Sequence, residues 1–364
     1  MTHPLRTIGW GLYGAASWTW CIGLFLPTIL MQWFGWSGFL LIAIPNVLGA
    51  TAMGLLLGSP NASRAFCQRH ARAIGLFVWA TIAFHLLFLS IVAVWIFPEG
   101  LLGQWDWVLF PLTALVLGLL LSLAPRRWWP VLGTIAFACG GIVIAMNCGS
   151  GGPVGFSGTR PPIDLVWLAP IFVIGFLICP WLDAPFHRVR QETNGPVGFL
   201  VVGMGFLCML FVTASYWWLG EATGTNVVLA WIFGQSTFTI AANLREARAG
   251  ILASHTFIAM PWAAIAAAAA FIGGMQLLDT WAEAVNLYLR WLALYGLFFP
   301  AIVLAWCLRR SPRVRTDRLV RLLILLALAS LLGEIGLIHG PVWVAAVAAI
   351  LILFTPLVVS RQKR

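Results

Sequence analysis

Residues 14–27 read Gly14-Ala-Ala-Ser17-Trp18-Thr19-Trp20-Cys-Ile-Gly23-Leu-Phe-Leu-Pro27. An apolar run of this kind belongs to a helix in lipid, yet Gly23 and Pro27 stand one turn apart within it. Glycine loosens a helical backbone, and proline removes a donor and clashes with the preceding turn. A later run repeats the punctuation as Gly175-Phe-Leu-Ile-Cys179-Pro180. Gly35-Trp-Ser-Gly38-Phe-Leu40 follows the first run, and Gly195-Pro-Val-Gly198-Phe-Leu200 follows the second. Each pair opens a block of five apolar runs. Five is odd, so the second block crosses a membrane in the opposite sense to the first.

The composition requires lipid. Of 364 residues, 61% are hydrophobic and 9% are charged, against about 25% charged in soluble domains. The 21 tryptophans suit membrane–water interfaces. With about 20 apolar residues needed per crossing, the expected spans are 10–31, 36–58, 73–97, 107–124, 129–147, 163–183, 197–218, 226–243, 250–275, 285–307, 319–337 and 341–359. The fold class is therefore all-α and polytopic, with about twelve crossings. The runs are too long, and lack the alternation, for an outer-membrane barrel.

Charge orients the chain. Arg6, Arg64, Arg69, Arg72, Arg126, Arg127, Arg188, Arg190, Arg245, Arg248 and the arginines of 309–321 all fall on one side of this map, as does the tail Arg361, Lys363 and Arg364. Glu99, Asp106, Asp164, Glu221, Asp279 and Glu283 fall on the other, with only Arg160 and Arg290. Such asymmetry places the basic side, and both termini, in the cytoplasm, most simply of a bacterial inner membrane. The run 226–243 is the most polar, but without it every later loop would invert. The net charge of +10 points to an anionic leaflet rather than to nucleic acid. The first apolar run continues too far for a cleaved signal peptide. Seven scattered cysteines form no metal-binding or redox spacing, and neither His85 nor His255 has a second histidine nearby, so no metal or organic cofactor is expected.

The blocks define four segments: a first five-helix repeat (1–147), an external glycine-rich linker (148–162), an inverted second repeat (163–307), and two further crossings with a basic tail (308–364). Five plus five inverted crossings with a broken first and sixth helix resembles the LeuT-type fold of the amino acid–polyamine–organocation superfamily. The opening around Gly14 to Gly23 is most similar to the first core helix of sodium–solute symporters. The resemblance implies a sodium site between hydroxyls of the eighth helix, here Ser236 and Thr237, and carbonyls of the segment from Ala16 to Gly23. It implies a small-molecule solute as partner, held between the two breaks near Ser17, Trp18, Thr19, Gly23, Gly175, Cys179 and Asp183.

Ionisable residues within apolar runs are functional candidates. Asp183 follows Pro180 and is read as a group that takes up a proton or neutralises a coupling cation, or else as a helix-end carboxylate paired with Arg188 or His187. Arg290 and Glu334 stand at equal depth and are expected to pair, as an outer gate or a static clamp. Asn46 is expected to bond across helices. Two other readings stay open. A membrane-embedded lipid or glycan transferase would use Asp183, His187 and Arg188 for acid–base work on a head group, although no catalytic motif is present. A transporter-like sensor would move nothing.

Overall fold

The computed structural model describes residues 4–95, 105–147, 155, 158–218, 223–248, 280–294 and 316–353. Among them every regular element is helical. The α-helices are α1 (Pro4–Trp18), α2 (Cys21–Phe34), α3 (Trp36–Leu56), α4 (Pro60–Trp95), α5 (Asp106–Ser122), α6 (Trp129–Asn147), α7 (Ile163–Ile178), α8 (Ala184–Glu192), α9 (Val197–Ala214), α10 (Thr223–Arg248), α11 (Trp281–Trp291), α12 (Thr316–Gly333) and α13 (Trp343–Leu353). Six are long and apolar enough to cross a membrane, or seven helical units if the bent pair α1–α2 counts as one span. α5, residues 324–339 and α13 are apolar but shorter. The run 250–275 and the end of 285–307 lie outside the described residues.

Leu40, Ile44, Leu48 and Leu55 form an exposed stripe along α3, and Val131, Ile135, Ile142 and Met146 form another along α6. In water such stripes would drive aggregation. In lipid they meet their solvent, while the helices satisfy their own backbone groups. The chain is an integral membrane protein.

The first crossing lies at the centre. From Gly9 to Pro27 only Leu12 is less than fully buried. α1 packs on α6 and α9, α3 on α7 and α9, and α10 on α4 and α5. Small residues permit the closest approaches. A Cβ on Gly133 of α6 would lie 2.4 Å from the Tyr13 Cα of α1, and one on Gly49 would lie 2.6 Å from the Phe176 carbonyl of α7.

One local expectation is corrected. Residues 59–72 are not a loop: α4 starts at Pro60, where a missing N–H costs nothing, Ser59 Oγ accepts from the Ala62 N–H, and the helix bends at His70. Described residues of the glycine-rich connection are bonded to the end of α2 and the start of α3. Gly155 O accepts from Trp36 N–H at 3.1 Å, the Thr159 and Arg160 amides donate to Gln32 and Trp33 carbonyls, and the Arg160 guanidinium lies 3.7 Å from the centre of the Trp33 ring. These bonds satisfy the end of α2, where Gly35 turns at φ 60°.

Arg6, the α3–α4 turn, the α5–α6 turn, α8 and the end of α10 gather at one end of the molecule. This is the basic end.

Candidate functional site

The first crossing is broken after Trp18. The Thr19 N–H turns back to Ala16 O at 3.1 Å, the Trp20 N–H to Trp18 O at 2.7 Å, and α2 leaves at 62° to α1. A break frees backbone groups that lipid cannot bond, and each lost bond in a buried place costs about 1–3 kcal/mol. Side chains of four other helices bond the backbone at and just beyond the break. Gln235 of α10 donates its amide to Ala16 O. His85 of α4 accepts the Cys21 N–H at 3.2 Å, and Tyr288 of α11 donates to Cys21 O at 3.1 Å. Thr213 of α9 donates to Gly23 O at 2.6 Å.

The last bond explains why the break lies at Thr19–Trp20 and not between Gly23 and Pro27. Proline at 27 cannot donate to the carbonyl four residues before it, which is that of Gly23. Thr213 supplies the missing hydrogen, so α2 continues through Pro27 unbroken. The bond at His85 also fixes its tautomer. Nε2 accepts from an amide, so Nδ1 carries the proton and donates to Thr81 O at 2.8 Å.

The second interruption follows α7. The helix ends in a 3₁₀ turn, Cys179–Leu182, that contains Pro180. Asp183 is extended and caps α8, its Oδ1 accepting from the Phe186 N–H at 3.4 Å. Phe186 stacks on Trp18 at 4.7 Å between ring centres. The two interruptions therefore touch.

A pocket lies at the first break, lined by Trp18, Trp20, Gly23, Asn46, Phe176 and Phe206 among others. Its room for a water centre is about 10 Å³, close to the space of one water molecule. Of the residues expected to hold solute, Trp18 and Gly23 line it. Ser17 and Thr19 bond back to Gly14 O and Ala15 O, Gly175 is buried in α7, and Cys179 is buried in the 3₁₀ turn. Asn46 accepts from Trp18 Nε1 at 3.3 Å, a bond between helices as expected.

Thirteen consecutive residues of α10, Gln235 to Ala247, are buried. This is why the run has low hydropathy yet lies within the bundle: its polar side chains face protein rather than lipid. Gln235, not Ser236 or Thr237, reaches the broken segment. The hydroxyls of Ser236, Thr237 and Thr239 and Oε1 of Gln235 are buried with no partner among the described residues.

Asp183 does not pair with Arg188 or His187. Arg188 instead binds Glu246 through Nε at 3.0 Å and Nη2 at 2.8 Å. His187 Nε2 donates to Trp181 O and its Nδ1 accepts from Ser63 Oγ, both at 3.0 Å. Asp183 is 1% exposed and its Oδ2 has no partner among the described residues. Desolvating a carboxylate costs several kcal/mol, while a long capping bond and a helix end return about 1 kcal/mol each. Burial therefore wins and raises the Asp183 pKa well above the carboxylate range, with Glu246 adding repulsion. Burial likewise pushes the His187 imidazole down to about 4.

Around this group lies an ion cluster whose carboxylates are buried. Glu192 receives Arg6 at 3.1 Å, Arg126, and Arg188 at 3.7 Å. Glu246 receives Arg188 and, at 2.7 Å, Arg245. Arg190 donates to the carbonyls of Gly58 and Gly195, joining two turns whose glycines stand at φ 59° and 76°. At the opposite end Arg290 grips Glu334 with three contacts of 2.6–3.0 Å, and His339 adds a fourth at 3.1 Å. This is the pairing expected from their equal depth. Among the described residues no group of three or more His, Cys, Asp or Glu side chains is placed to hold a metal.

No protein-family model matches the chain, and no curated protein matches it.

Proposed function

We propose that the protein is a secondary transporter that moves a small organic solute by alternating access, coupled to sodium or protons. The observation that carries this reading is the break at Thr19–Trp20, where side chains of α4, α10 and α11 bond the backbone beside an aromatic pocket. A static bundle gains nothing from an interrupted central helix. A carrier gains a binding site and a hinge.

An inverted repeat of five plus five crossings, twelve in all with both ends cytoplasmic, fits the described contacts. α1 has 15 residues before its break and α7 has 16 before its 3₁₀ turn. α1 and α2 pack on α9, α7 packs on α3, and α3 packs on α9. Exchange of the two halves turns the first contact into the second and the third into itself. In this reading the basic end is the cytoplasmic side and is closed by the ion cluster. The aromatic pocket is then the contracted solute site, with Trp18 and Gly23 in its wall. A sodium-coupled form of this reading uses the unpartnered hydroxyls of Ser236 and Thr237 as the ligands that the LeuT-type resemblance implies, and in either form Arg290–Glu334 is the outer gate.

The transferase alternative draws no support from the geometry of its three candidate groups. Asp183, His187 and Arg188 are all less than 9% exposed, and His187 and Arg188 are already bonded, so no face is offered to a head group.

Uptake into proteoliposomes tests the proposal, with imposed sodium or proton gradients and a panel of amino acids, nucleobases and sugars. Accumulation of one solute under one gradient, abolished by Gln235→Leu, is the expected result. A panel that never accumulates under either gradient removes the transporter reading.

A further inference from the structure

The position of Asp183 goes one step further and names the coupling ion; the step rests on the transporter reading above. Asp183 sits where the second interruption meets the first, behind the Trp18–Phe186 stack. One carboxyl oxygen caps α8 and the other has no partner among the described residues. An ionised carboxylate in such a place would hold a cation, and the surrounding groups supply none.

From α1 the facing titratable group is Tyr13, whose hydroxyl is buried and also without a partner among the described residues. From α10 it is Glu246, a second negative charge, already held by Arg188 and Arg245. The 3₁₀ turn contributes the Cys179 thiol. On α8 itself, Arg188 is turned to Glu246 and Glu192, and His187 to Ser63 and Trp181. α4 presents Cys67 and His70, which stand toward Gln191 and His187 rather than Asp183. α3 carries no titratable residue. α9 carries only Cys208, which is exposed, and α7 only Asp164 at its far end.

We propose that Asp183 is the proton-binding group of the carrier, protonated on its free oxygen while α8 is closed against α1, and ionised when the two separate. On opening, the O–H bond of the carboxylic acid breaks and its proton passes to cytoplasmic water. On closing, the carboxylate takes a proton back, because no cation replaces it. Proton binding and closure of the basic end are thereby one event.

Two measurements on the full-length protein in liposomes test this. The first is infrared difference spectroscopy. Wild type is expected to show the carbonyl stretch of a protonated carboxylic acid at neutral pH, shifting in heavy water, and Asp183→Asn to lack it. No such band, or a band unchanged in Asp183→Asn, overturns the assignment. The second is the labelling rate of Cys67, a buried thiol 4.0 Å from Gln191 of α8, read by peptide mass spectrometry with N-ethylmaleimide. The ratio of the wild-type rate to the Asp183→Asn rate cancels the titration of the thiol itself. It is expected to rise with pH by up to about tenfold per unit, the slope of a single linked proton. A ratio independent of pH overturns the proton linkage alone. Labelling that is absent from both variants at every pH overturns alternating access with it.

Discussion

The two ends of the molecule hold their helices by the same chemistry in different surroundings. At the basic end, Glu192 and Glu246 have side chains 1% and 0% exposed and share Arg6, Arg126, Arg188 and Arg245 between them. At the opposite end, Arg290 and Glu334 are 43% and 27% exposed and make one bidentate pair. The pair at the wet end can open with water replacing each bond. The pair Arg188–Glu246 at the basic end cannot lose one member without leaving a buried charge short of its partner. The difference makes the molecule asymmetric: one end is held firmly and the other lightly.

The largest effect expected from this contrast is at Glu246. Replacing it by Gln leaves Arg188 and Arg245 short of their counter-charge, and breaking a buried pair costs about 3–5 kcal/mol. Thermal unfolding in detergent should show it. If Glu246→Gln costs no more than Glu334→Gln, the contrast between the two ends is wrong.

Next comes acidity. His187 is held neutral, its pKa lowered from about 6.5 to about 4 by burial. A group depressed in the folded state contributes stability that is present above its unfolded pKa and is lost as pH falls through the folded one. The full span is on the order of 3 kcal/mol. Set against His187→Gln, wild type should lose that margin between about pH 6.5 and pH 4. Asp183 acts in the opposite sense: with its folded pKa raised, it adds stability as pH falls, equally in both variants, so the difference between them isolates His187. Equal acid sensitivity of wild type and His187→Gln contradicts a neutral, buried imidazole.

The central break ranks third, and it sharpens the comparison because it holds no formal charge. Gln235→Leu and Tyr288→Phe each remove a side-chain donor from a buried carbonyl, Ala16 O or Cys21 O. Each should cost about 1–3 kcal/mol. The Thr213→Val variant asks a more local question. If its hydroxyl is what lets α2 run through Pro27, its loss should cost a similar amount. The further change Pro27→Ala should recover it, because an amide at 27 can again bond Gly23 O. Without recovery, the explanation for the position of the break fails.

How far the sequence carried the fold follows from which interactions are local. Apolar runs such as 129–147 became helices with the expected bounds because length and hydropathy are properties of the segment itself. The interruption near Trp18 was visible as a cluster of helix-weakening residues, but its position was not. The hydroxyl that rescues Pro27 comes from a residue 190 positions from the carbonyl it bonds. The eighth run was visible through its arginines, yet the reading favoured Ser236 and Thr237. Successive residues on a helix are about 100° apart, and only coordinates show that Gln235 faces the break. Nothing along the chain places Glu192 against Arg6 and Arg126, or Glu246 against Arg188. The signal that was present, and went unweighted, is the polar side chain within a membrane run. Thr213, Gln235 and Tyr288 share that character, and all three serve the break.

The smallest effect concerns the outer pair, and there a double substitution is more informative than its size. Exposed ion pairs contribute about 0–1 kcal/mol, so Arg290→Glu or Glu334→Arg alone should lower stability only slightly. Each should bring two like charges together between α11 and the end of α12. The double reversal restores opposite charges in the same place, and it should recover most of the loss in an unfolding experiment at low salt. The recovery should shrink as salt is raised, since screening acts on exposed charges and hardly on buried ones. Glu246 offers the control, because the cost of Glu246→Gln should be nearly independent of salt. A double reversal no better than either single variant would mean that Arg290 and Glu334 do not act on each other. Equal salt dependence at both ends would mean that water reaches the inner cluster as freely as the outer pair.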